Sequence, residues 1–197
     1  MIRVCILGSI GSGKTFVSKL FNYPVFNADK EVGLIYKNNK SCYQKLKKIL
    51  PEYIHSFPIL RPELIKAVLN NKKNLKKISN IVHPLVRSRL KFFIKKNKRK
   101  KMIILDIPLL IENKLNQKND VLIYVSSKKK KIIKRLKKRK NYNKKIIANL
   151  KENQIILSKK KQLANYTVDN NFALSKMKNK IKVLKKRILN ERNNIRY

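Results

Sequence analysis

Gly8-Ser-Ile-Gly-Ser-Gly-Lys14-Thr15 lies near the start of this 197-residue chain and carries its clearest indication of fold. It satisfies the pattern G-x-x-x-x-G-K-[ST], it follows the apolar run Arg3–Leu7, and a helical pattern begins at Lys14. Glycines at these positions let backbone N–H groups converge on phosphate oxygens, and the N-terminus of the following helix adds partial positive charge. The stretch therefore predicts a phosphate-binding loop, or P-loop, between a buried strand and a helix.

The residues of this loop have separate predicted tasks in binding a nucleotide. Lys14 is expected to reach the β- and γ-phosphates of ATP, and the Thr15 hydroxyl is expected to bind Mg²⁺. The other loop residues predicted to bind ATP are Gly8, Gly11, Ser12 and Gly13. A P-loop by itself does not separate kinases from GTPases, ATPases or helicases, so the rest of the chain has to decide between them.

Length and composition fit one domain and exclude several other classes. With 43% hydrophobic residues, the chain can bury a single core of ordinary α/β domain size. Cys5 and Cys42 lie far apart, so we expect no disulfide framework, no cysteine metal site and a reducing compartment. The apolar run before Gly8 is far shorter than the roughly 20 residues of a membrane span. We therefore expect a cytoplasmic protein with no membrane partner.

The net charge of +41 is the strongest compositional feature of the chain. By itself, such a charge suggests a polyanionic partner. The basic runs Lys95–Lys101, Lys128–Lys131 and Lys159–Lys161 belong to a lysine enrichment that extends along the whole sequence, and no known nucleic-acid-binding motif accompanies them. Solvated faces are therefore favoured over a dedicated nucleic-acid patch. A nucleic-acid-binding P-loop protein remains the alternative from a different functional class.

Strands and helices are expected to alternate along the chain. The predicted strands are Arg3–Leu7, Val25–Asn27, Met102–Ile107, Val121–Val125 and Tyr166–Asp169. The predicted helices are Lys14–Phe21, several segments between Asp29 and Asn97, Lys128–Arg139, Lys144–Lys161 and Leu174–Arg192. This alternation predicts βαβ units and a parallel sheet that is covered on both faces.

Two long helical stretches separate the parts of one P-loop domain. Residues 30–99 carry the helix-punctuating prolines Pro51, Pro58, Pro62 and Pro84 and are predicted to bind the acceptor substrate. Residues 126–161 are helical and strongly basic, which is typical of a lid over phosphates. The core is then formed by residues 1–29, 100–125 and 162–197. The fold class predicted is α/β, a three-layer P-loop NTPase fold with a parallel sheet, a helical substrate-binding insertion and a helical lid.

Two aspartates follow predicted strands. Asp29 comes after Val25–Asn27, at the sheet edge where open α/β folds bind ligands, and there it can accept a proton from an attacking hydroxyl. It can equally cap a helix that begins at Lys30. Asp106 ends a strand in the manner of a Walker B motif, so it is expected to hold the metal, and the alternative is a hydrogen bond to the P-loop.

Arg135 and Arg139 are candidates for contacts with phosphate. They are four residues apart, which places them on one face of a helix, where they can clamp a transferring phosphoryl group. Because lysines surround both residues, a solvated role is the competing interpretation.

Taken in order, these motifs resemble the dephospho-CoA kinase family over nearly the whole chain. Asn27-Ala-Asp29 is similar to the family's Asp-Ala-Asp, and Asp106-Ile-Pro-Leu-Leu-Ile-Glu112-Asn113 resembles its Pro-Leu-Leu-x-Glu block. Arg135-Leu-Lys-Lys-Arg139 matches the Arg-x-x-x-Arg of the family's lid. The further matches are Leu60-Arg61-Pro-Glu-Leu64, His83-Pro84-Leu-Val, Gln154 and Ala164–Asn171.

The resemblance implies a reaction and a set of site residues. ATP would phosphorylate the ribose 3′-hydroxyl of dephospho-CoA, giving ADP and CoA. Asp29 would be the base, Lys14 and Thr15 would handle the phosphates and Mg²⁺, and Arg139 with Arg135 would stabilise the transferring charge. The residues implied for the acceptor site are Asp29, Arg61, His83 and Glu112. We expect ATP and dephospho-CoA as partners, no specific nucleic acid, and a monomer.

Four positions depart from the family pattern. Asn27 stands for the first aspartate of Asp-Ala-Asp, Phe16 for a hydroxyl residue, Leu157 for a frequent lid arginine, and Asn165 for an aspartate. None of these changes removes the predicted base, lysine or metal ligand, so we expect activity. Another P-loop kinase, acting on a nucleotide or a small alcohol, is the nearest alternative. For His83 a structural role remains open, because Pro84 could mark the start of a helix.

Overall fold

The computed structural model describes residues 1–138, 142–143, 145, 147–148, 152 and 154–194, without the side chains of 192–194. The chain forms two compact units. The core unit comprises Met1–Asn27, Asn97–Tyr142 and Asn153–Tyr197. The helical unit comprises Ala28–Lys96 and Asn143–Glu152.

In chain order, the elements are β1 (Ile2–Leu7), α1 (Lys14–Leu20), β2 (Val25–Asn27), α2 (Ala28–Asn38), α3 (Lys40–Ile49), α4 (Arg61–Asn70), α5 (Lys73–Lys96), β3 (Met102–Asp106), β4 (Val121–Ser126), α6 (Lys129–Lys137), α7 (Leu157–Gln162), β5 (Tyr166–Asp169) and α8 (Leu174–Asn194). Each of the five predicted strands is present, with its ends within one residue of the predicted ones.

The core unit is built on one parallel sheet with the strand order β2-β3-β1-β4-β5. All four neighbouring pairs of strands are parallel. Parallel neighbours require crossover connections, which is why helical segments separate them in the sequence. The predicted α/β fold class is therefore confirmed.

The sheet is buried on both faces. On one face, Val4, Ile104 and Ile123 pack in one apolar cluster with Phe21, which directly follows α1, and with Ile181 of α8. The buried residues of the opposite face include Cys5, Leu7, Ile103 and Leu105. Burial on both sides explains why these strands are continuous apolar runs instead of alternating apolar and polar residues.

In the helical unit, α2, α3 and α4 each pack against the long helix α5. This helix buries Ile78, Val82, Val86 and Leu90, which recur every fourth residue along one face. Arg89 of α5 also forms an ion pair with Glu31 of α2, at 2.9 Å. The helices are thus joined by an apolar stripe with a charged pair beside it.

Pro84 lies inside α5, so the prediction that it interrupts a helix was wrong. The alternative that His83 stands at the start of a helix was also wrong, because α5 begins ten residues earlier, at Lys73. Proline removes one hydrogen bond to the carbonyl four residues earlier, here that of Asn80. Both Pro84 and Asn80 are exposed, so water can bind that carbonyl. The buried stripe on the other side of α5 holds the helix together through the proline.

The prediction of one helix over Lys144–Lys161 was also wrong. Gln154–Ile156 is not helical, and α7 begins only at Leu157. The backbone N–H of Ile155 donates instead to Glu112 Oε1, at 3.0 Å. A tertiary hydrogen bond therefore replaces the helical one at this point.

Among the residues that the structure describes, no helix has both the length and the apolar character needed to cross a membrane.

Ile181→Ala is expected to lower the free energy of unfolding by about 2–5 kcal/mol, because a cavity would open in the core. Ile181 is 0% exposed, whereas Val183 in the same helix is 68% exposed. Val183→Ala is the matched control, and its expected effect is about 0.5 kcal/mol or less. Urea unfolding measures both, and equal losses would contradict this packing of α8.

Candidate active site

All three glycines of the P-loop have positive φ angles that other residues rarely adopt, and at two of them the neighbouring atoms also exclude a side chain. Gly8 has a φ of 143° and Gly13 a φ of 91°. A Cβ at Gly8 would lie 2.5 Å from the Val125 carbonyl oxygen, and one at Gly13 would lie 2.2 Å from Asn170 Nδ2. The loop therefore passes so close to the ends of β4 and β5 that these two positions have no room for a side chain.

Lys14 is held over the P-loop by the loop's own carbonyl groups. Its Nζ donates to Gly8 O at 3.1 Å and to Ser9 O at 3.0 Å. Lys14 is also the first residue of α1, where backbone N–H groups point out of the helix. The ammonium group and the helix N-terminus thus act on the same loop, and both attract phosphate.

Thr15, Asn27 and Asp106 form a hydrogen-bonded cluster around one carboxylate oxygen. Thr15 Oγ1 donates to Asp106 Oδ2 at 2.5 Å, and Asn27 Nδ2 donates to the same oxygen at 2.6 Å. Asn27 and Asp106 are paired residues in the β2–β3 register, so the sheet itself brings them together. The hydrogen bond that Asp106 accepts from the P-loop residue Thr15, an alternative offered by the sequence, is therefore present.

Asn170 braces the P-loop from the side of β5. This residue is 1% exposed, and its Nδ2 donates to Ser12 O at 2.8 Å. Its Oδ1 accepts a hydrogen bond from the backbone N–H of Phe172 at 2.9 Å. One asparagine side chain therefore fixes both the P-loop and the loop after β5.

Arg135 of α6 stacks on the aromatic ring of Phe172. The guanidinium carbon of Arg135 lies 4.0 Å from the centroid of this ring, which is a cation–π contact. The ring of Phe16 also packs against Phe172, with the two ring centroids 6.4 Å apart. A surface cavity of about 260 Å³ lies beside this stack. It is lined by Lys131, Lys134, Arg135, Lys138, Asn171 and Phe172. Four of these six residues are basic, so the surroundings of the cavity are positively charged.

Glu112 is paired inside the core unit. Its Oε1 lies 2.6 Å from Lys160 Nζ and also accepts the backbone N–H of Ile155 at 3.0 Å. The side chain of Lys160 is 1% exposed, so the prediction that Lys159–Lys161 forms a solvated face was wrong at this residue. A role of Glu112 in binding the acceptor stays a prediction.

The other candidates for the acceptor site belong to the helical unit. Asp29 is the exposed second residue of α2, and since this helix begins at Ala28, Asp29 is not the residue before a helix that starts at Lys30. Arg61 is the exposed first residue of α4. His83 lies in α5, where burial, together with the nearby Arg87, lowers its pKa below the ordinary value. Its imidazole is therefore neutral at pH 7.

The sequence alone predicted no role in the site for Asn170, Phe172 or Lys160. Asn170 lies in the matched block Ala164–Asn171 and directly follows a predicted strand, which is the signal that could have singled it out. Arg139 lies outside the described residues. Within the described part of the chain, no group of three or more His, Cys, Asp or Glu side chains is arranged to hold a metal ion.

Several solved structures share this α/β fold. TT1252 from Thermus thermophilus aligns with a TM-score of 0.71 and 25% identity, over 93% of this chain and 95% of that one. The dephospho-CoA kinase from Campylobacter jejuni aligns with a TM-score of 0.66 and 20% identity, over 96% and 98% of the two chains. A shikimate kinase from Acinetobacter baumannii shares the fold with a TM-score of 0.54 and 12% identity, over 97% and 94%.

Sequence comparison assigns the chain to one family. The family described as dephospho-CoA kinase matches residues 2–176. The dephospho-CoA kinase of Wolbachia pipientis wMel is 31% identical over 171 residues, which cover 84% of this chain and 87% of the relative. That of Bacillus cereus is 27% identical over 198 residues, or 94% and 96%. The chain belongs to the dephospho-CoA kinase family, enzymes that phosphorylate dephospho-CoA with ATP in CoA biosynthesis. The resemblance found in the motifs is confirmed.

Gly13→Ala is expected to weaken ATP binding at least tenfold, because the new methyl group would displace Asn170 or the loop and a misplacement of about 1 Å has effects of this order. Gly33→Ala is the matched control, since a Cβ there meets nothing within 4 Å. In the interior of α2 that alanine is expected to add about 0.5–1 kcal/mol of stability. Calorimetric titration with ATP measures the affinities. Unchanged ATP binding by the Gly13 variant would contradict the close approach.

Proposed function

We propose that this chain transfers the γ-phosphoryl group of ATP to the ribose 3′-hydroxyl of dephospho-CoA. The observation that carries the proposal is the Thr15–Asp106–Asn27 cluster beside the P-loop lysine. It supplies oxygen ligands and a cation at the carboxyl edge of a parallel sheet, where open α/β folds bind their ligands. Catalysis of phosphoryl transfer depends mostly on such positioning and charge stabilisation.

The triphosphate is proposed to bind along the P-loop, with Lys14 moving from the loop carbonyls to the β- and γ-phosphates. The Thr15 hydroxyl and the Asp106 carboxylate fit Mg²⁺, which prefers oxygen ligands and is usually bound by one or two protein groups together with substrate phosphates. Bound there, Mg²⁺ would neutralise charge on the phosphate oxygens. Thr15 donates in its 2.5 Å hydrogen bond to Asp106 and accepts one long hydrogen bond from Asn27 Nδ2 at 3.4 Å, so a lone pair of the hydroxyl oxygen is available for a metal ion.

Asp29 is proposed as the base. It follows Asn27 by two residues, and Asn27 is fixed to Asp106 at the end of β2. In the proposed step the 3′-hydroxyl oxygen forms a bond to the γ-phosphorus, and its proton passes to the Asp29 carboxylate. The bond from the γ-phosphorus to the bridging oxygen breaks, and ADP leaves. Unlike Asp106, Asp29 is exposed, so substrate can reach its carboxylate.

Arg135 is proposed to bind ATP, and Arg139 to act with it on the transferring phosphoryl group. Support for Arg135 comes from the basic cavity beside its stack on Phe172, whose ring also lies close to Gly13 of the P-loop. Residues 126–161, which contain both arginines, are proposed to form the lid.

Residues 30–99 are proposed to bind the acceptor, with Arg61 and His83 among the contacting side chains. Arg61 is exposed and always charged, which suits the phosphates of dephospho-CoA. The neutral imidazole of His83 can donate or accept a hydrogen bond. The cytoplasmic location, the monomeric state and the absence of a specific nucleic-acid partner stay predictions.

Coupled ADP formation with ATP, Mg²⁺ and dephospho-CoA tests the proposal, run beside other alcohols as acceptors. Turnover is expected to depend on dephospho-CoA. Asp29→Asn is expected to lower kcat about 10²–10⁴-fold, since it removes a general base. Lys14→Ala is expected to weaken ATP binding and to lower kcat together, because it removes a contact with the phosphates.

Lys30→Gln is the matched control for Asp29→Asn, because it also removes one charge from an exposed side chain in the same helical turn. Its kcat is expected to stay close to that of the unmodified protein. Full kcat in Asp29→Asn would contradict the role of that residue as base. Turnover with another alcohol but none with dephospho-CoA, in a protein that binds ATP, would contradict the proposed acceptor.

A further inference from the structure

Lys160 differs from the many other lysines of this chain in its environment. It is the one lysine among the buried polar residues of the described part of the protein, with a side chain that is 1% exposed. The neighbouring Lys159 is exposed, as most surface lysines are. Because removing an ammonium group from water is unfavourable unless a partner compensates its charge, the burial of Lys160 requires a specific counterion.

The counterion is Glu112, and the pair is part of a small network. Lys160 Nζ lies 2.6 Å from Glu112 Oε1 and donates to Pro108 O at 3.4 Å. The backbone N–H of Ile155 donates to the same carboxylate oxygen at 3.0 Å. One oxygen therefore connects the loop after β3 with two points of the chain around the start of α7.

The two segments that this network joins both lie close in sequence to residues of the proposed active site. The loop Pro108–Glu112 begins two residues after Asp106, which holds Thr15. It is anchored by Leu110, which is 1% exposed. Ile155 lies near the end of the basic stretch 126–161 that carries Arg135, two residues before α7 begins. The network thus fixes the end of that stretch to the loop behind Asp106.

We propose that Lys160 is a positioning residue for phosphoryl transfer that acts through Glu112. The ion pair holds the Pro108–Glu112 loop and the Ile155–Lys160 segment in a fixed position relative to each other. The inference rests on the proposed kinase reaction at this site. It assigns Lys160 no contact with substrate, and it makes Glu112 the partner of Lys160. Reacting groups have to be held to within a fraction of an ångström, so a loosened loop at this position lowers the rate.

The pairing predicts that each single variant loses activity and that the double variant recovers part of it. Lys160→Met keeps an unbranched side chain that is one atom shorter, but it leaves the Glu112 carboxylate without its cation. Glu112→Gln leaves the Lys160 ammonium buried without its anion. The double variant removes both charges, and the amide oxygen of the glutamine can still accept the N–H of Ile155. Breaking a buried pair is much more harmful than replacing both partners, so the double variant is expected to recover function.

The test is steady-state kinetics with ATP and dephospho-CoA on these three variants and on Lys159→Met, the exposed matched control. Each single variant is expected to lower kcat about 10–100-fold, with the KM for both substrates within about threefold. The double variant is expected to recover at least about tenfold of that loss. Lys159→Met is expected to remain within about twofold of the unmodified protein. In parallel, NMR hydrogen exchange is expected to show faster exchange of the Ile155 amide in both single variants.

Several results would overturn the inference. A double variant no better than the worse single variant would show that the charges do not act as a pair. A raised KM for dephospho-CoA in Glu112→Gln, with Lys160→Met unaffected, would show that Glu112 contacts the acceptor directly. If a single variant does not fold, the double variant decides, and its failure to fold would count against the pairing.

The amide exchange separates this inference from the proposed function. If the unmodified protein shows no turnover with dephospho-CoA, the proposed function fails and the kinetic comparison has no reference. The exchange of the Ile155 amide still tests the network, because it needs no substrate. Unchanged exchange in Lys160→Met would then overturn the inference by itself.

Discussion

A single carboxylate oxygen, Oδ2 of Asp106, joins the P-loop to the neighbouring strand. It accepts hydrogen bonds from Thr15 and Asn27 at 2.5 and 2.6 Å, and Asp106 is 2% exposed. A buried carboxylate needs such donors, and each donor is placed by a different element, Thr15 by α1 and Asn27 by β2. The parallel register of β2 and β3, which pairs Asn27 with Asp106, therefore determines the geometry of the Thr15–Asp106–Asn27 cluster.

Two asparagine amides, one at each edge of the sheet, hold Asp106 and the P-loop in place. Asn27 donates to Asp106, and Asn170 donates to the P-loop carbonyl of Ser12 at 2.8 Å. At position 27, where the resembled family has an aspartate, the amide supplies a proton that an ionised carboxylate lacks. The departure from the family pattern is thus compatible with an ordered Asp106. The close approach at Gly8 and Gly13 completes the constraint, because a side chain at either position would push the loop away from β4 or β5.

The parts of this structure that local pattern determines were predictable from the sequence. The strands around Val4, Ile104 and Ile123 are continuous apolar runs bounded by turn residues. The P-loop was predictable because its glycines, lysine and threonine have the spacing G-x-x-x-x-G-K-[ST], which is specific to phosphate-binding loops. The break before α7 was not predictable, because it depends on a hydrogen bond from Ile155 to a residue 43 positions away. The burial of Lys160 was hidden in a run of three lysines for the same reason. In α5, Pro84 led to the wrong prediction of a helix end, because the packing of the buried face of α5 outweighs the local effect of the proline.

The most direct test of the role of Asp106 is calorimetric titration of Asp106→Asn and the unmodified protein with ATP, in the presence of Mg²⁺ and again in the presence of a chelator. If Asp106 organises both the loop and the metal, the variant loses affinity under both conditions, and it loses at least about tenfold more with Mg²⁺ than without it. An equal loss under the two conditions would show that Asp106 only supports the loop, and would contradict its assignment to the metal site.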